Sequence, residues 1–433
     1  MTSALMRDVI LTDGFRTPFA KAGTALAPVP ARELGRIAVT ELLARHGVDP
    51  LEVDEVILGN VAAPSDATNI ARVVALLAGI PERVPAVTVQ RNCASGMEAV
   101  AQAHDRIAAG HADLIVAGGT ESMSQIPLFV SEGMTRVFEK LSRARSLPAR
   151  VAAIAQARPR DLAPRPAILE GLTDRVSGLN MGETAEVLAK EFGISREAQD
   201  DFALTSHRRA IAAMDAGRLA EEIVPVFAPP YKAAVLEDVG PRRNQSLEAL
   251  AKLRPYFDRR HGTVTPGNSC GITDGAAALL VVSAEKAREL GLRPAGRIRG
   301  QAAVGLDPAH MGLGPTHATP IALERAGAHF KDLGLIEINE AFAAQVIANE
   351  IAMASAKYCR EKLGLDGPIG ELDRSVLNVN GGAIALGHPV GVSGTRLLLT
   401  LMREMRHRDV QLGLAALCVG GGQGVAMVVE RAA

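Results

Sequence analysis

Val87-Thr-Val-Gln-Arg-Asn-Cys-Ala-Ser-Gly-Met-Glu-Ala-Val100 reads as a β-branched strand, a tight turn and the first turns of a helix. Cys93 occupies the turn. Ala94, Ser95 and Gly96 behind it are small enough for another molecule to come close. Ala99 to Gly110 continues with helical periodicity. A thiol at a helix N-terminus meets the positive end of the macrodipole and backbone N–H groups that lack intrahelical partners. Both favour thiolate, the reactive form. The competing reading of an isolated cysteine is a small core hydrophobe. The remainder of the chain favours the reactive thiol.

Outward from this stretch, strands alternate with helices. Val9-Ile10-Leu11 is a short strand. Leu34, Ile37, Ala38 and Leu42 share one helical face, and Gly47 and Pro50 end that helix. Val56-Ile57-Leu58 is a buried strand, Ile70–Leu77 a small-residue helix, and Leu114–Ala117 a strand ending in Gly118-Gly119. The rhythm resumes with strands at Ala276–Val282 and near Ile298 and a helix at Pro320–Ala328. A strand at Leu335–Ile338 and a helix at Phe342–Ala356 follow. A strand at Val376–Val379, a helix at Ser393–Met405, and strands Gly413–Leu417 and Val425–Val429 complete it. This order predicts an α/β protein with a parallel or mixed sheet covered on both faces. The second half echoes the first, with Asn92-Cys-Ala-Ser-Gly96 and Asn380-Gly-Gly-Ala383 at corresponding strand-to-helix turns.

At 433 residues the chain is too long for one ordinary core, and two or three domains are expected. Hydrophobics at 48% and charged residues at 22% fit a soluble globular protein. The net charge of −1 gives no global field toward nucleic acid. No run of about 18 apolar residues predicts a membrane span. Met1-Thr-Ser-Ala-Leu-Met-Arg-Asp8 has neither a signal-peptide apolar core nor an Arg-rich transit pattern. Cys93, Cys270, Cys359 and Cys418 show no zinc-site spacing and are too few for a disulfide framework, so a reducing, cytoplasmic setting and no metal are expected.

Residues 123–272 break the alternation and read as an inserted loop domain. The expected partition is 1–122 with 273–292, then 123–272, then 293–433. Between Arg136 and Arg165 the insertion carries eight Arg or Lys against Glu139 and Asp161. This is either a solvated helical face or a surface for a phosphate-rich ligand, an acidic partner or a membrane.

Four small or polar turns stand where strands end: Asn92-Cys-Ala-Ser-Gly96, Asn339-Glu-Ala-Phe342, Gly387-His-Pro389 and Cys418-Val-Gly-Gly-Gly422. In open α/β sheets ligands bind outside the carboxyl ends of strands, so turns far apart in sequence can converge there. Singly, each reads as ordinary: His388 as a structural histidine, Asn339 as a turn residue, Cys418 as core.

Together they resemble the thiolases. The motifs are Asn92-Cys-Ala-Ser-Gly-Met97, Asn339-Glu-Ala-Phe-Ala-Ala-Gln345, Gly381-Gly-Ala-Ile-Ala-Leu-Gly-His-Pro389 and Cys418-Val-Gly-Gly-Gly-Gln-Gly424. Met181-Gly-Glu-Thr-Ala-Glu186, Lys252-Leu-Arg-Pro255 and Gly262-Thr-Val-Thr265 through Thr273-Asp-Gly-Ala276 extend the likeness over nearly the whole chain. The insertion Phe138–Gly171 and the stretch Leu253–Thr263 resemble the β subunits of fatty-acid-oxidation trifunctional complexes, which are 3-ketoacyl-CoA thiolases. The implied fold has two similar βαβ-type halves with stacked mixed sheets and helices, plus the inserted loop domain.

The resemblance implies an acyltransferase that cleaves 3-ketoacyl-CoA with CoA through a Cys93 acyl-enzyme. His388 holds Cys93 as thiolate, and Cys418, with a thiol pKa near its ordinary value of about 8.5, exchanges the enolate proton. His388 and an Asn339-held water serve one oxyanion; the N–H groups of Cys93 and Gly420 serve the other. Met181, Ser269 and Phe342 are the implied contacts to coenzyme A, which is a substrate, with no permanently bound cofactor. Glu340 has no assigned role. Two positions depart from the family pattern: Cys270 stands where a pantetheine-contacting serine is common, and Asn339 stands where trifunctional β subunits usually carry His. Implied partners are acyl-CoA and CoA, a second copy as a homodimer or dimer of dimers, a hydratase/dehydrogenase α subunit, and a peripheral membrane contact, with no nucleic acid. Two alternatives stand beside the leading reading: an acetoacetyl-CoA-forming acetyltransferase, and a non-catalytic acyl-CoA or lipid-binding module on the same fold.

Overall fold

The computed structural model describes residues 7–432; the first six residues of the N-terminal stretch read above, and residue 433, lie outside the described residues. The first half runs β1 (Val9–Thr12), α1 (Ala31–His46), β2 (Glu55–Gly59), α2 (Ile70–Leu77), β3 (Ala86–Val89), α3 (Ser95–Ala108), β4 (Leu114–Ser122) and, after a long excursion, β5 (Thr273–Ser283). The second runs β6 (Pro294–Gly305), α4 (Gly314–Ala326), β7 (Leu335–Ile338), α5 (Ala343–Ala354), α6 (Ser393–His407), β8 (Leu412–Val419) and β9 (Gln423–Arg431).

Hydrogen bonding orders the strands β3-β2-β4-β5-β1-β6-β9-β8-β7. The pairs β2/β3, β2/β4 and β7/β8 are parallel and the other pairs antiparallel. Read outward from the β1/β6 seam, both halves have the same order and connectivity, so the echo in the sequence is a structural repeat. Where the first half has β3, the second has only a bridge between Ile336 and Leu377. The expected strand Val376–Val379 does not form. Asn378 turns into the left-handed region at φ 45°, and its side chain accepts from Ile338 N–H (2.9 Å) and donates to Ile338 C=O (2.9 Å). The carboxamide takes the place of a strand neighbour.

Local signals explain most boundaries. α1 buries Leu34, Ala38 and Leu42 at helical spacing and ends at Gly47, φ 64°, whose N–H returns to the last carbonyls. β4 continues past Ala117 because Thr120, Glu121 and Ser122 pair with Ala276, Gly275 and Asp274 of β5. α4 begins six residues before Pro320, the expected start, with its first turn capped from a distance: Thr316 N–H donates to Asn349 Oδ1 at 2.9 Å.

α3 and α6 lie together between the two halves of the sheet. Met97, Val100 and Ile107 of α3 share one apolar cluster with Leu397, Leu401 and Met405 of α6, Leu279 and Val281 of β5, and Leu417 and Met427 of the second half. α1 and α2 cover the outer face of the first half, and α4 and α5 that of the second. Every residue of α6 from Ser393 to Met405 is buried, as expected of a helix in the central layer. Its charges are paired: Arg396 with Glu337 at 2.8 Å, Glu404 with Arg408 at 2.8 Å, and Arg403 donating to Gly14 C=O at 2.8 Å.

Glycine sets how closely α3 and α6 meet. A Cβ on Gly96 would lie 2.6 Å from Thr395 Oγ1 and 3.0 Å from Gly391 C=O; one on Gly394 would lie 2.5 Å from the Met97 nitrogen. The helix N-termini therefore touch almost backbone to backbone.

Of the stretch 123–272, only Gln125–Thr173 separates as a compact unit; from Asp174 on, the chain belongs with the sheets. Taken alone, this unit is three helices, Glu132–Arg143, Leu147–Ile154 and the short Ala167–Gly171, with a short ladder pairing Leu128 with Pro166 and Phe129 with Arg165. Val137 and Ala153 are its buried apolar residues, whereas Leu147, Val151 and Ile154 stand on one helical face 75%, 59% and 57% exposed. Among the described residues no helix is long and apolar enough to cross a membrane.

Gly394→Ala tests the contact between the central helices. Alanine in a helix interior normally gains up to about 1 kcal/mol over glycine. Here the added methyl meets backbone and should instead cost about 1–3 kcal/mol in denaturant unfolding. A neutral or stabilising effect would refute so close an approach.

Candidate active site

β3 ends at Val89, and the chain reverses through Asn92, φ 42°, a position that Asn tolerates better than most residues. Ser95 closes the turn: its hydroxyl accepts from Arg91 N–H (2.8 Å) and donates to Asn92 C=O (2.7 Å). Cys93 is left half-buried at the mouth of α3, where the backbone N–H groups of Gly420 and of Cys93 itself favour its thiolate form.

Gly420 comes from the hairpin joining β8 to β9. Cys418 lies opposite Gly424, Val419 opposite Gln423, and Gly420-Gly421-Gly422 form the tip, with φ 88° and 77° at the last two. Cys418 is buried beside Phe342 and Met181. Met181 also lies under the tip, its sulfur 2.9 Å from where a Cβ on Gly420 would be. Phe342 meets Phe257 edge to face, with ring centroids 6.0 Å apart.

Asn339 caps β7 and is fully buried; its Nδ2 lies 3.5 Å from His388 Nε2, and its Oδ1 has no partner among the described residues. His388 Nδ1 lies 2.5 Å from Ser393 Oγ, whose hydroxyl reaches Pro389 C=O at 3.3 Å. Ser393 donates onward, so it accepts from Nδ1–H, and the network assigns an unprotonated Nε2 that faces the site. Among the described residues His388 bonds Ser393 and Asn339 rather than the Cys93 sulfur.

The loop Asn268–Gly271 ties these turns together. Cys270 N–H donates to Ala341 C=O (3.0 Å), and His388 N–H donates to Gly271 C=O (3.1 Å). Cys270 is half-buried within electrostatic reach of Cys93 and Cys418. Ser269 is turned into its own loop, its hydroxyl donating to Thr265 C=O at 2.8 Å. Thus Cys93, Gly420, Cys418, Met181 and Phe342 converge, as do Asn339 and His388, while the Ser269 hydroxyl faces elsewhere.

Burial governs the electrostatics. It pushes the Cys93 thiol up; the Gly420 and Cys93 N–H groups oppose this, and the Glu121 charge adds to it. The helix N-terminus therefore does not make a resting thiolate. Burial drives Cys270 up to about 12 and Cys418 well above an ordinary thiol, each helped by neighbouring thiols. The expected near-ordinary Cys418 is corrected on that ground. Burial and the Arg396 charge hold His388 down at about 3, so the imidazole is neutral. Burial thus favours the neutral forms of all three thiols and of the imidazole over a thiolate–imidazolium pair.

Two carboxylates hold the frame: Glu121, missed in the sequence, and Glu340, left there without a role. Glu121, at the end of β4, accepts from Asn60 Nδ2 and from the N–H groups of Val61, Ala62 and Gly391, each at 3.0 Å. It joins the first half to the loop that carries His388, and burial raises it to about 7. Glu340 accepts from Ser206 Oγ (2.6 Å), Asn378 Nδ2 (2.8 Å) and Ile384 N–H (3.2 Å). It anchors the Asn339 turn to the Asn378–Ile384 turn, which answers its open role. Glu121 carries no sequence signal beyond being acidic beside a turn. Among the described residues no group of three or more His, Cys, Asp or Glu is placed to hold a metal ion.

Residues 9–285 match the family described as "Thiolase, N-terminal domain" and residues 292–431 that described as "Thiolase, C-terminal domain". The chain is 45% identical over 424 residues to a 3-ketoacyl-CoA thiolase of Yersinia pestis (strain Pestoides F), covering 98% of this chain and 96% of that protein. Among solved structures, the Bacillus anthracis acetyl-CoA acetyltransferase superposes with a TM-score of 0.86 at 38% identity, covering 99% of this chain and all (100%) of that one. The human mitochondrial 3-ketoacyl-CoA thiolase in complex with CoA gives 0.85 at 37% identity, with 99% of each chain covered.

The depressed His388 has a thermodynamic signature. A histidine with its folded pKa near 3 and an unfolded value near 6.5 binds fewer protons folded than unfolded, so stability present above pH 6.5 is lost as pH falls below it. Between pH 7.5 and 5.0 this residue should account for up to ~2 kcal/mol of lost stability. His388→Asn should flatten the pH dependence of the unfolding free energy by that order. An unchanged dependence would mean that His388 is not held neutral.

Proposed function

This chain belongs to the thiolase family, and from that premise we propose that it is a 3-ketoacyl-CoA thiolase, an acyltransferase working through a Cys93 acyl-enzyme. The observation that carries the reading is the convergence on one point of Cys93 from the first half and Gly420 and Cys418 from the second. The alternative of an acetoacetyl-CoA-forming acetyltransferase uses the same residues in the reverse direction. It is supported by the likeness to the Bacillus anthracis protein, whereas the higher identity to the Yersinia protein supports thiolysis.

The neutral resting site suggests the sequence of proton transfers. As the Cys93 sulfur bonds the 3-keto carbon, its proton passes to His388 Nε2, and the keto oxygen gains charge against the Cys93 and Gly420 N–H groups. The C2–C3 bond breaks, and the acetyl-CoA enolate takes a proton from Cys418. A thiol that burial keeps protonated is suited to that donation. Protonated His388, with Asn339 beside it, faces the enolate oxygen. Coenzyme A then enters as substrate and gives its thiol proton to Cys418. Its sulfur attacks the acyl-Cys93 carbonyl, and departing Cys93 recovers its proton from His388 as the shortened acyl-CoA leaves. Met181 and Phe342 are proposed to pack against the pantetheine; Ser269, its hydroxyl turned inward, is the weakest of the implied contacts.

Because the chemistry needs free thiols, we place it in a reducing, cytoplasmic compartment, acting in fatty-acid β-oxidation. β3 is one open edge of the sheet, and Leu76 and Leu77 are 43% and 49% exposed on α2, which follows β2; we propose that two copies pair at this edge as a homodimer, alone or within a dimer of dimers. For Gln125–Thr173 we propose peripheral docking on an anionic lipid surface, since Leu147, Val151 and Ile154 make an exposed apolar stripe amid basic residues. An α subunit of a trifunctional assembly is the other occupant to be tested.

Two experiments decide these points. Cys93→Ser should abolish thiolysis, while Cys418→Ala should still acylate Cys93 but exchange acetyl-CoA methyl protons with deuterated solvent ~10²–10⁴-fold more slowly. Turnover by Cys93→Ser at a tenth of wild type, or undiminished exchange by Cys418→Ala, would remove that residue from its role. For the lobe, Leu147→Asp/Val151→Asp should end co-sedimentation with phosphatidylserine vesicles and leave KM for CoA unchanged. Wild-type protein that never sediments with vesicles would exclude lipid docking, and binding to an α subunit instead would assign the lobe to that partner.

A further inference from the structure

The Gly420-Gly421-Gly422 tip carries an oxyanion donor, yet by composition it is the most pliable backbone in the site. It is restrained at both ends. Leu306 N–H holds Gly422 C=O at 2.8 Å, and Asn92 Nδ2 holds Gly420 C=O at 2.8 Å. Beside it, Arg91 Nη1 donates to Gln423 Oε1 at 2.9 Å while its Nε pairs with Glu98 at 2.7 Å. The two residues preceding Cys93 thus grip the hairpin from the other half of the molecule. The β8–β9 ladder, which ends at Val419 and Gln423, fixes Gly420 only from its amino side. Asn92 supplies the restraint from its carboxyl side.

We propose that Asn92 is a positioning residue for acyl transfer, its carboxamide locking Gly420 so that the Gly420 and Cys93 N–H groups meet the same oxygen of the acyl-enzyme. The proposal rests on the reading of Cys93 as nucleophile and of Gly420 N–H as oxyanion donor. Position 92 faces two demands that few side chains meet together. It takes φ 42°, which Gly, Asn and Asp accept most readily, and it must donate to a carbonyl, which neither Gly nor carboxylate Asp can do. A residue chosen only to make the turn could be any of the three.

Asn92→Gly keeps the backbone conformation and removes the tether. kcat for thiolysis should fall ~10- to 100-fold, short of the full loss of an oxyanion donor, with KM for the 3-ketoacyl-CoA changed less than about 3-fold. The pH profile of Cys93 alkylation by iodoacetamide should move to higher pH, because Gly420 N–H also supports the thiolate. Asn92→Asp, which retains the turn and reverses the hydrogen-bonding sense, should show the same two changes and guards against a folding defect in the glycine variant. Wild-type kcat and alkylation profile in Asn92→Gly would overturn the proposal. So would lowered activity in both variants with an unmoved alkylation profile, which would make Asn92 merely structural. Turnover by Cys93→Ser would instead sink the underlying reading.

Discussion

The contact of α3 with α6 at Gly96 and Gly394 is the constraint on which the site depends. Each helix starts from the corresponding turn of its own half, and one turn ends in Cys93 while the other is preceded by His388. The close approach of the helix N-termini brings together turns whose residues Cys93 and His388 lie nearly three hundred positions apart in the chain. A methyl group at Gly96 or Gly394 would push those turns apart. Glu121 secures the same arrangement by accepting N–H groups from the first half and from Gly391 of the second. The strand order, repeated on either side of the β1/β6 seam, is the scaffold that aims both helices inward.

Within this frame the chemistry is set by what burial does to charge. Thiols rise and the imidazole falls, so the unliganded site has no separated charges apart from carboxylates already tied to donors. That state favours proton transfer in step with bond formation over a standing ion pair. The Glu337–Arg396 pair lies beneath, and the Arg396 charge helps to keep His388 unprotonated.

Legibility followed the range of the interactions. The turn around Cys93 could be read because a β-branched strand, three small residues and a helical period are adjacent in the chain. α1 could be read to its last residue because Gly47 caps it locally. By contrast, α4 starts before Pro320 because of Asn349, more than thirty residues away. The strand expected at Val376–Val379 dissolves because Asn378 bonds a neighbour forty residues distant. The partners of Glu121 and the ring orientation of His388 are likewise tertiary facts. The helix-dipole argument for a thiolate at Cys93 failed for a related reason: the dipole is a local property, whereas desolvation depends on what the whole fold places around the sulfur.

The protonated state of the resting thiols has a consequence for the lifetime of the molecule. Peroxides and alkylating agents consume thiolates far faster than thiols, and each such encounter ends a working molecule unless it is repaired. A site that carried a permanent thiolate would wear continuously between turnovers. On the proposed mechanism nucleophilicity arises when a 3-ketoacyl thioester supplies an electrophile and His388 takes the proton, and it vanishes with the product. The same enclosure that makes Cys93 a reluctant acid makes an idle molecule chemically durable.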